Sequence, residues 1–125
     1  TPKRAIGLLN WHRKRKRLHD PLIARALLDD AQSLGVDHIV ITGDLVNLGL
    51  PHEIIAAHAF LRSVAAATEM TVVPGNHDIY SDLHGDHGVA RWADYMGHEP
   101  ETLAFPFVRE IGPVALIGLN SAIET

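Results

Sequence analysis

Two short apolar runs, each ending in a glycine followed by a polar ligand-type residue, constrain this chain more than any other feature. His38-Ile39-Val40-Ile41-Thr42 is apolar and β-branched, reads as a buried strand, and runs directly into Gly43-Asp44-Leu45-Val46-Asn47. Met70-Thr71-Val72-Val73 is a second run of the same kind, stopped by Pro74-Gly75 and followed by Asn76-His77-Asp78. Between them a helix is expected to begin near Pro51, with Ile54, His58, Leu61 and Ala65 along one face. Strand, helix, strand with a compact crossover predicts parallel pairing in an α/β sheet. If the strands are neighbours, their carboxyl ends share a rim, and ligands of open α/β sheets bind outside such ends.

The rest of the chain is arranged around that unit. Residues 1–20 read as an irregular segment in which Leu8, Leu9 and Trp11 precede the basic run Arg13 to Arg17. Asp20 is a candidate helix cap and Pro21 suits the first helical position, where its missing N–H is no loss. Leu22, Ile23, Ala26, Leu27, Ala31 and Leu34 follow at helical spacing up to a stop at Gly35. After the second motif, residues 75–88 are rich in Gly, Asp and His and read as a loop. Val89, Trp92, Ala93 and Met96 predict a short amphipathic helix ending at Gly97, and Phe105 to Ile111 with Val114 to Leu119 predict a hairpin turning at Gly112-Pro113. With 125 residues the chain is read as one domain: a basic segment at 1–20, a motif-bearing α/β core at 21–80, and a loop, short helix and hairpin at 81–125.

The two strand-end loops carry residues of one chemical kind. A carboxylate such as Asp44 is a hard ligand able to bridge two divalent cations, and the Asn76 carbonyl oxygen is a neutral ligand of the same hard type. Two bound cations would polarise a phosphoryl group and lower the pKa of a water between them. Gly43 and Gly75 let the backbone turn tightly and bring side chains close to the metals. His77 is a candidate to contact the phosphate or protonate the leaving oxygen, with Asp78 orienting its imidazole. Taken singly, Asn76 and Asp78 are ordinary turn formers and Asp44 an ordinary helix cap; both motifs at strand ends favour the functional reading.

GDLVN followed by GNHD resembles the second and third motifs of the calcineurin-like metallophosphoesterases, which carry GD-x-x-D/N and GNH-D/E on successive strand ends. The resemblance is good over about residues 36–80 and loose over Phe105 to Asn120. It implies an α/β fold, a partial calcineurin-like phosphoesterase sandwich with a β-sheet core and flanking helices. It implies that Asp44 is the metal-bridging carboxylate and Asn76 a ligand of the second metal, that His77 contacts phosphate with Asp78 as its orienting partner, and that Asn47 plays a supporting hydrogen-bonding part. The cofactor implied is a pair of divalent metal ions, Mn, Fe or Zn. The reaction implied is hydrolysis of phosphate mono- or diesters by a dinuclear-metal hydroxide mechanism.

The family pattern opens with D-x-H on an earlier strand and closes with a lone His and a G-x-H, and neither end is found here. Ser81-Asp82-Leu83-His84 matches the opening by residue type, but it follows GNHD and has no strand leading into it, so it reads as a polar loop. His84, Asp86 and His87 could reach bound metal or substrate as loop residues, but that is not the favoured reading. The expectation is a fragment of a longer enzyme, with little activity alone and Mn²⁺-dependent activity when extended at both ends. The alternative is a metallophosphoesterase-like domain that has lost catalysis and serves as a binding scaffold. A Rossmann-type nucleotide binder is discarded, because no G-x-G-x-x-G follows a strand.

Partners and compartment rest on composition. The expected partner is a phosphate-ester substrate. A net charge of -4 argues against a general nucleic-acid binder, although the Arg13 to Arg17 run offers a contact for nucleic acid or an anionic membrane; a solvated loop is the favoured reading of that run. The absence of cysteine excludes disulfides and thiolate metal sites and fits a cytoplasmic protein. His12 and His19 read as loop residues, His58 as a partly buried core histidine, and Trp92 as packing.

Overall fold

The computed structural model describes residues 21–80 and 88–122. Packing divides the chain into two units, residues 1–36 and 37–125. The Arg13 to Arg17 run, His12, His19, the Asp20 cap and the stretch containing Asp82, His84, Asp86 and His87 lie outside the described residues.

In the first unit the predicted helix is α1, Pro21–Ser33. It ends where expected, with Gly35 at φ 70°, a left-handed conformation that costs glycine nothing, and with the Gly35 N–H donating back to the Gln32 carbonyl at 3.0 Å. Arg25 and Asp29 pair at 2.8 Å one turn apart on its exposed surface, a contribution of about 0.3–0.5 kcal/mol.

In the second unit, β1 (His38–Ile41) and β2 (Glu69–Val72) pair in parallel, as the order of elements demanded. Ile39 faces Met70 and Ile41 faces Val72 across the pair, and the Val73 N–H donates to the Ile41 carbonyl at 2.9 Å, which carries the pairing one residue further. The crossover is α2, Pro51–Ala65, with proline at its first turn. Glu53 reaches back to accept from the Leu50 N–H at 2.9 Å and the Leu48 N–H at 3.1 Å, so two N–H groups at the helix entry are satisfied by one carboxylate. Ile54, Ala57, Leu61 and Val64 recur at helical spacing and are buried.

That face meets β2 and a 3-10 segment, Val89–Met96, where the sequence predicts a short amphipathic helix. The tighter winding still buries Val89, Trp92, Ala93 and Met96, and Gly97 closes it at φ 77°. Trp92 is fully buried, and its indole N–H points at the Ile54 carbonyl at 3.4 Å, so the ring joins the helix to the 3-10 segment.

The hairpin consists of β3 (Phe107–Ile111) and β4 (Val114–Gly118), antiparallel around Gly112-Pro113. Phe107 stands opposite Gly118, and its ring fills the space where a side chain on Gly118 would be. Arg109 ties the hairpin to the parallel pair. Its Nη1 donates to the Met70 carbonyl, to Thr71 Oγ1 at 2.9 Å and to the Tyr95 carbonyl at 3.1 Å, while Nη2 meets Glu69 at 3.2 Å. The result is mixed α/β, a parallel pair with its crossover helix and a separate two-stranded sheet.

Candidate active site

The site begins where β1 and β2 stop. Beyond Ile41 the chain passes through Gly43 at φ 96° and Asp44 at φ 56°. Asp44 is the one non-glycine residue in a left-handed conformation among the described residues, a region that aspartate tolerates better than most side chains. Beyond Val72 the buried Pro74 leads into Gly75. The two loops then touch main chain to main chain. A side chain on Gly75 would collide with the Asp44 carboxylate, its Cβ falling 2.2 Å from Oδ1. Glycine at 43 and at 75 is what lets the two loops come this close.

Hydrogen bonds lock the loops together. The His77 N–H donates to Asp44 Oδ1 at 3.2 Å. Asp78 is fully buried, and its carboxylate accepts from three main-chain donors: Oδ2 from the Asp44 N–H at 2.7 Å and the Gly75 N–H at 2.8 Å, Oδ1 from the Val46 N–H at 3.0 Å. Burial pushes the Asp78 carboxyl pKa upward; the three N–H donors pull the other way, and the nearby Asp44 charge adds to the upward push.

The imidazole of His77 is held differently from the expectation. Its Nδ1 lies 2.7 Å from the Asn47 carbonyl oxygen. A carbonyl only accepts, so Nδ1 carries the proton and Nε2 is the remaining nitrogen for chemistry. Tyr80 stands edge-on to the ring at 5.1 Å between centroids. The orienting partner predicted at Asp78 is thus the Asn47 main chain, because all three bonds of the buried Asp78 carboxylate go to backbone amides. Asn47 does support the histidine, but through its carbonyl, a contact that carries no side-chain signature. Tyr80 was missed for a similar reason: nothing in a lone aromatic three residues after His77 announces an edge contact.

Asp44 and Asn76 are both exposed at this rim, and Asn76 sits between two residues, Gly75 and His77, that each touch Asp44. As hard oxygen donors they fit a divalent cation in kind. They do not make a full ligand set: no group of three or more His, Cys, Asp or Glu side chains gathers at one point among the described residues.

The parallel pair thus presents, at its strand ends, a loop bearing Asp44 interlocked with a Gly-Asn-His-Asp loop. The family model of the calcineurin-like phosphoesterases matches residues 18–118, and the chain belongs to that family. No curated protein matches it. Membership makes it a phosphoesterase-type hydrolase at the level of the family, one whose members use divalent metals. No helix among the described residues is long and apolar enough to cross a membrane.

Proposed function

We propose that this chain carries part of a site that hydrolyses phosphate mono- or diesters with two divalent cations of the Mn, Fe or Zn kind. By itself it turns over little, because among the described residues Asp44 and Asn76 alone do not complete a ligand set. The observation that carries the reading is the interlock of the two loops, which sets the exposed Asp44 carboxylate against the main chain of His77. Asp44 and Asn76 are the residues of this chain that would hold the ions. Such ions, when bound, supply Lewis acidity that activates water and offsets charge on the phosphoryl oxygens. His77 contributes from the second loop. With Nδ1–H donating to the Asn47 carbonyl, Nε2 is the nitrogen that, in the imidazolium form where it too carries a proton, would donate to a phosphoryl oxygen or pass that proton to the leaving oxygen.

The test is hydrolysis of p-nitrophenyl phosphate and its bis-ester with and without Mn²⁺, beside calorimetric Mn²⁺ titration. Wild type is expected to need the metal. Asp44→Asn is expected to lose most Mn²⁺ binding, whereas His77→Ala keeps it and drops kcat by roughly 10²–10⁴. A wild-type protein that binds no Mn²⁺ defeats the reading and favours a binding scaffold.

A further inference from the structure

Asp78 does something other than orient a histidine. A carboxylate with no exposed surface is costly unless its oxygens are hydrogen-bonded, and here the donors are three backbone amides drawn from the two rim loops. Two of them, Asp44 and Val46, belong to the loop after β1; the third, Gly75, belongs to the loop after β2. Oδ2 alone receives one donor from each loop, so a single atom staples them together. The Asp44 N–H is aimed at this oxygen while Asp44 is at φ 56°, a conformation that costs a non-glycine residue about 1 kcal/mol or more and persists only when its surroundings hold it.

We infer that Asp78 is the positioning residue of the metal rim: its buried carboxylate fixes the left-handed backbone of Asp44 and the approach of Gly75, and so sets where the Asp44 carboxylate stands. This rests on the reading of Asp44 as a metal ligand. The geometry explains why an acid is needed. Three N–H groups converge on two oxygens, so an amide at this place turns an NH₂ group toward at least one donor. Asp78 would act on the cations through Asp44, since its carboxylate bonds to the three backbone amides while the His77 ring bonds to the Asn47 carbonyl.

The experiment compares Mn²⁺ affinity in wild type, Asp78→Asn and His77→Ala, with circular dichroism to establish that each is folded at the assay temperature. Loss of a group that orients a ligand costs about 10–100-fold in metal affinity. Asp78→Asn is therefore expected to weaken Mn²⁺ binding by at least about tenfold while His77→Ala stays within about twofold. A folded Asp78→Asn protein that binds Mn²⁺ as tightly as wild type overturns the inference.

Nuclear magnetic resonance of the wild type gives a second, independent measurement that needs no variant. Scalar couplings across hydrogen bonds should connect the amides of Asp44, Val46 and Gly75 to the Asp78 carboxyl carbon. Their absence overturns the inference even if Asp78→Asn fails to fold, and their presence in that event supports it. A wild type that binds no Mn²⁺ counts against the proposed hydrolase function, and the couplings then decide the Asp78 clamp by themselves.

Discussion

A methyl group on Gly43 would fall 2.0 Å from the amide nitrogen of Gly75 and 2.6 Å from its Cα. Both obstacles are backbone, so nothing flexible can move aside. Gly43→Ala must separate the loops or unfold the rim, and Gly43 at φ 96° adds strain of its own. The expected loss is about 3 kcal/mol or more by urea denaturation. Gly112→Ala is the control: the hairpin glycine is left-handed but has nothing within 4 Å of its added Cβ, so about 1–2 kcal/mol is expected. Equal losses in the two variants would show that the two loops do not approach so closely.

Arg109 should matter far more than its place on a half-exposed hairpin implies. Arg109→Ala removes three bonds from Nη1 and leaves the Met70 and Tyr95 carbonyls short of a donor. A loss of about 2–3 kcal/mol in urea denaturation is expected, with Arg109→Lys recovering only part of it, since one ammonium cannot reproduce the fork. Glu69→Gln alters the exposed Nη2 contact and the longer one from Glu69 to His38 Nδ1 at 4.0 Å, and should cost under about 1 kcal/mol.

Burial lowers the His58 pKa, the Arg62 and Arg91 guanidinium groups lower it further, and Asp94 opposes them weakly. The unfolded chain then binds a proton on this ring at a higher pH than the folded chain does, so the unfolded state gains as the solution is acidified. Stability is full above about pH 6.5 and falls as pH drops from there through the lowered folded value. His58→Gln should flatten that fall. Urea midpoints at about pH 7.5 and about pH 5.5 check it: the variant should gain on wild type at the lower pH, and a constant difference would refute the assignment.

The two faces of α2 should respond oppositely to truncation. Leu61 is fully buried and Ile55 is 49% exposed. Leu61→Ala is expected to cost about 2–5 kcal/mol, and Ile55→Ala under about 1 kcal/mol, by chemical denaturation. Comparable losses would mean that the helix packs on a different face.

Much of this arrangement was legible because it is local or periodic. The β-branched runs at 38–42 and 70–73, the proline before α2 and the glycines ending elements each leave a mark on adjacent residues, and parallel pairing followed from one helix between two strands. The glycines at 43 and 75 were readable for the same reason. What escaped depends on contacts distant in sequence or made by main chain. Arg109 reads as a surface arginine until β2, some forty residues earlier, is laid beside it. The Asn47 carbonyl has no letter of its own. Asp78 looked like a partner for the neighbouring ring because burial, which turns its carboxylate inward to the amides, is invisible in a polar turn. The 3-10 winding of Val89–Met96 escaped because its apolar spacing suits either helix.

The left-handed backbone of Asp44 restricts what mutation can explore there. Glutamate carries the same charge and the same oxygens, yet its longer stem gains none of the local compensation that lets aspartate and asparagine adopt that twist. Glycine would accept the twist and forfeit the oxygens. One codon position is thereby filtered twice, by shape and by chemistry: asparagine passes the first but brings no charge, and the short acid supplies both.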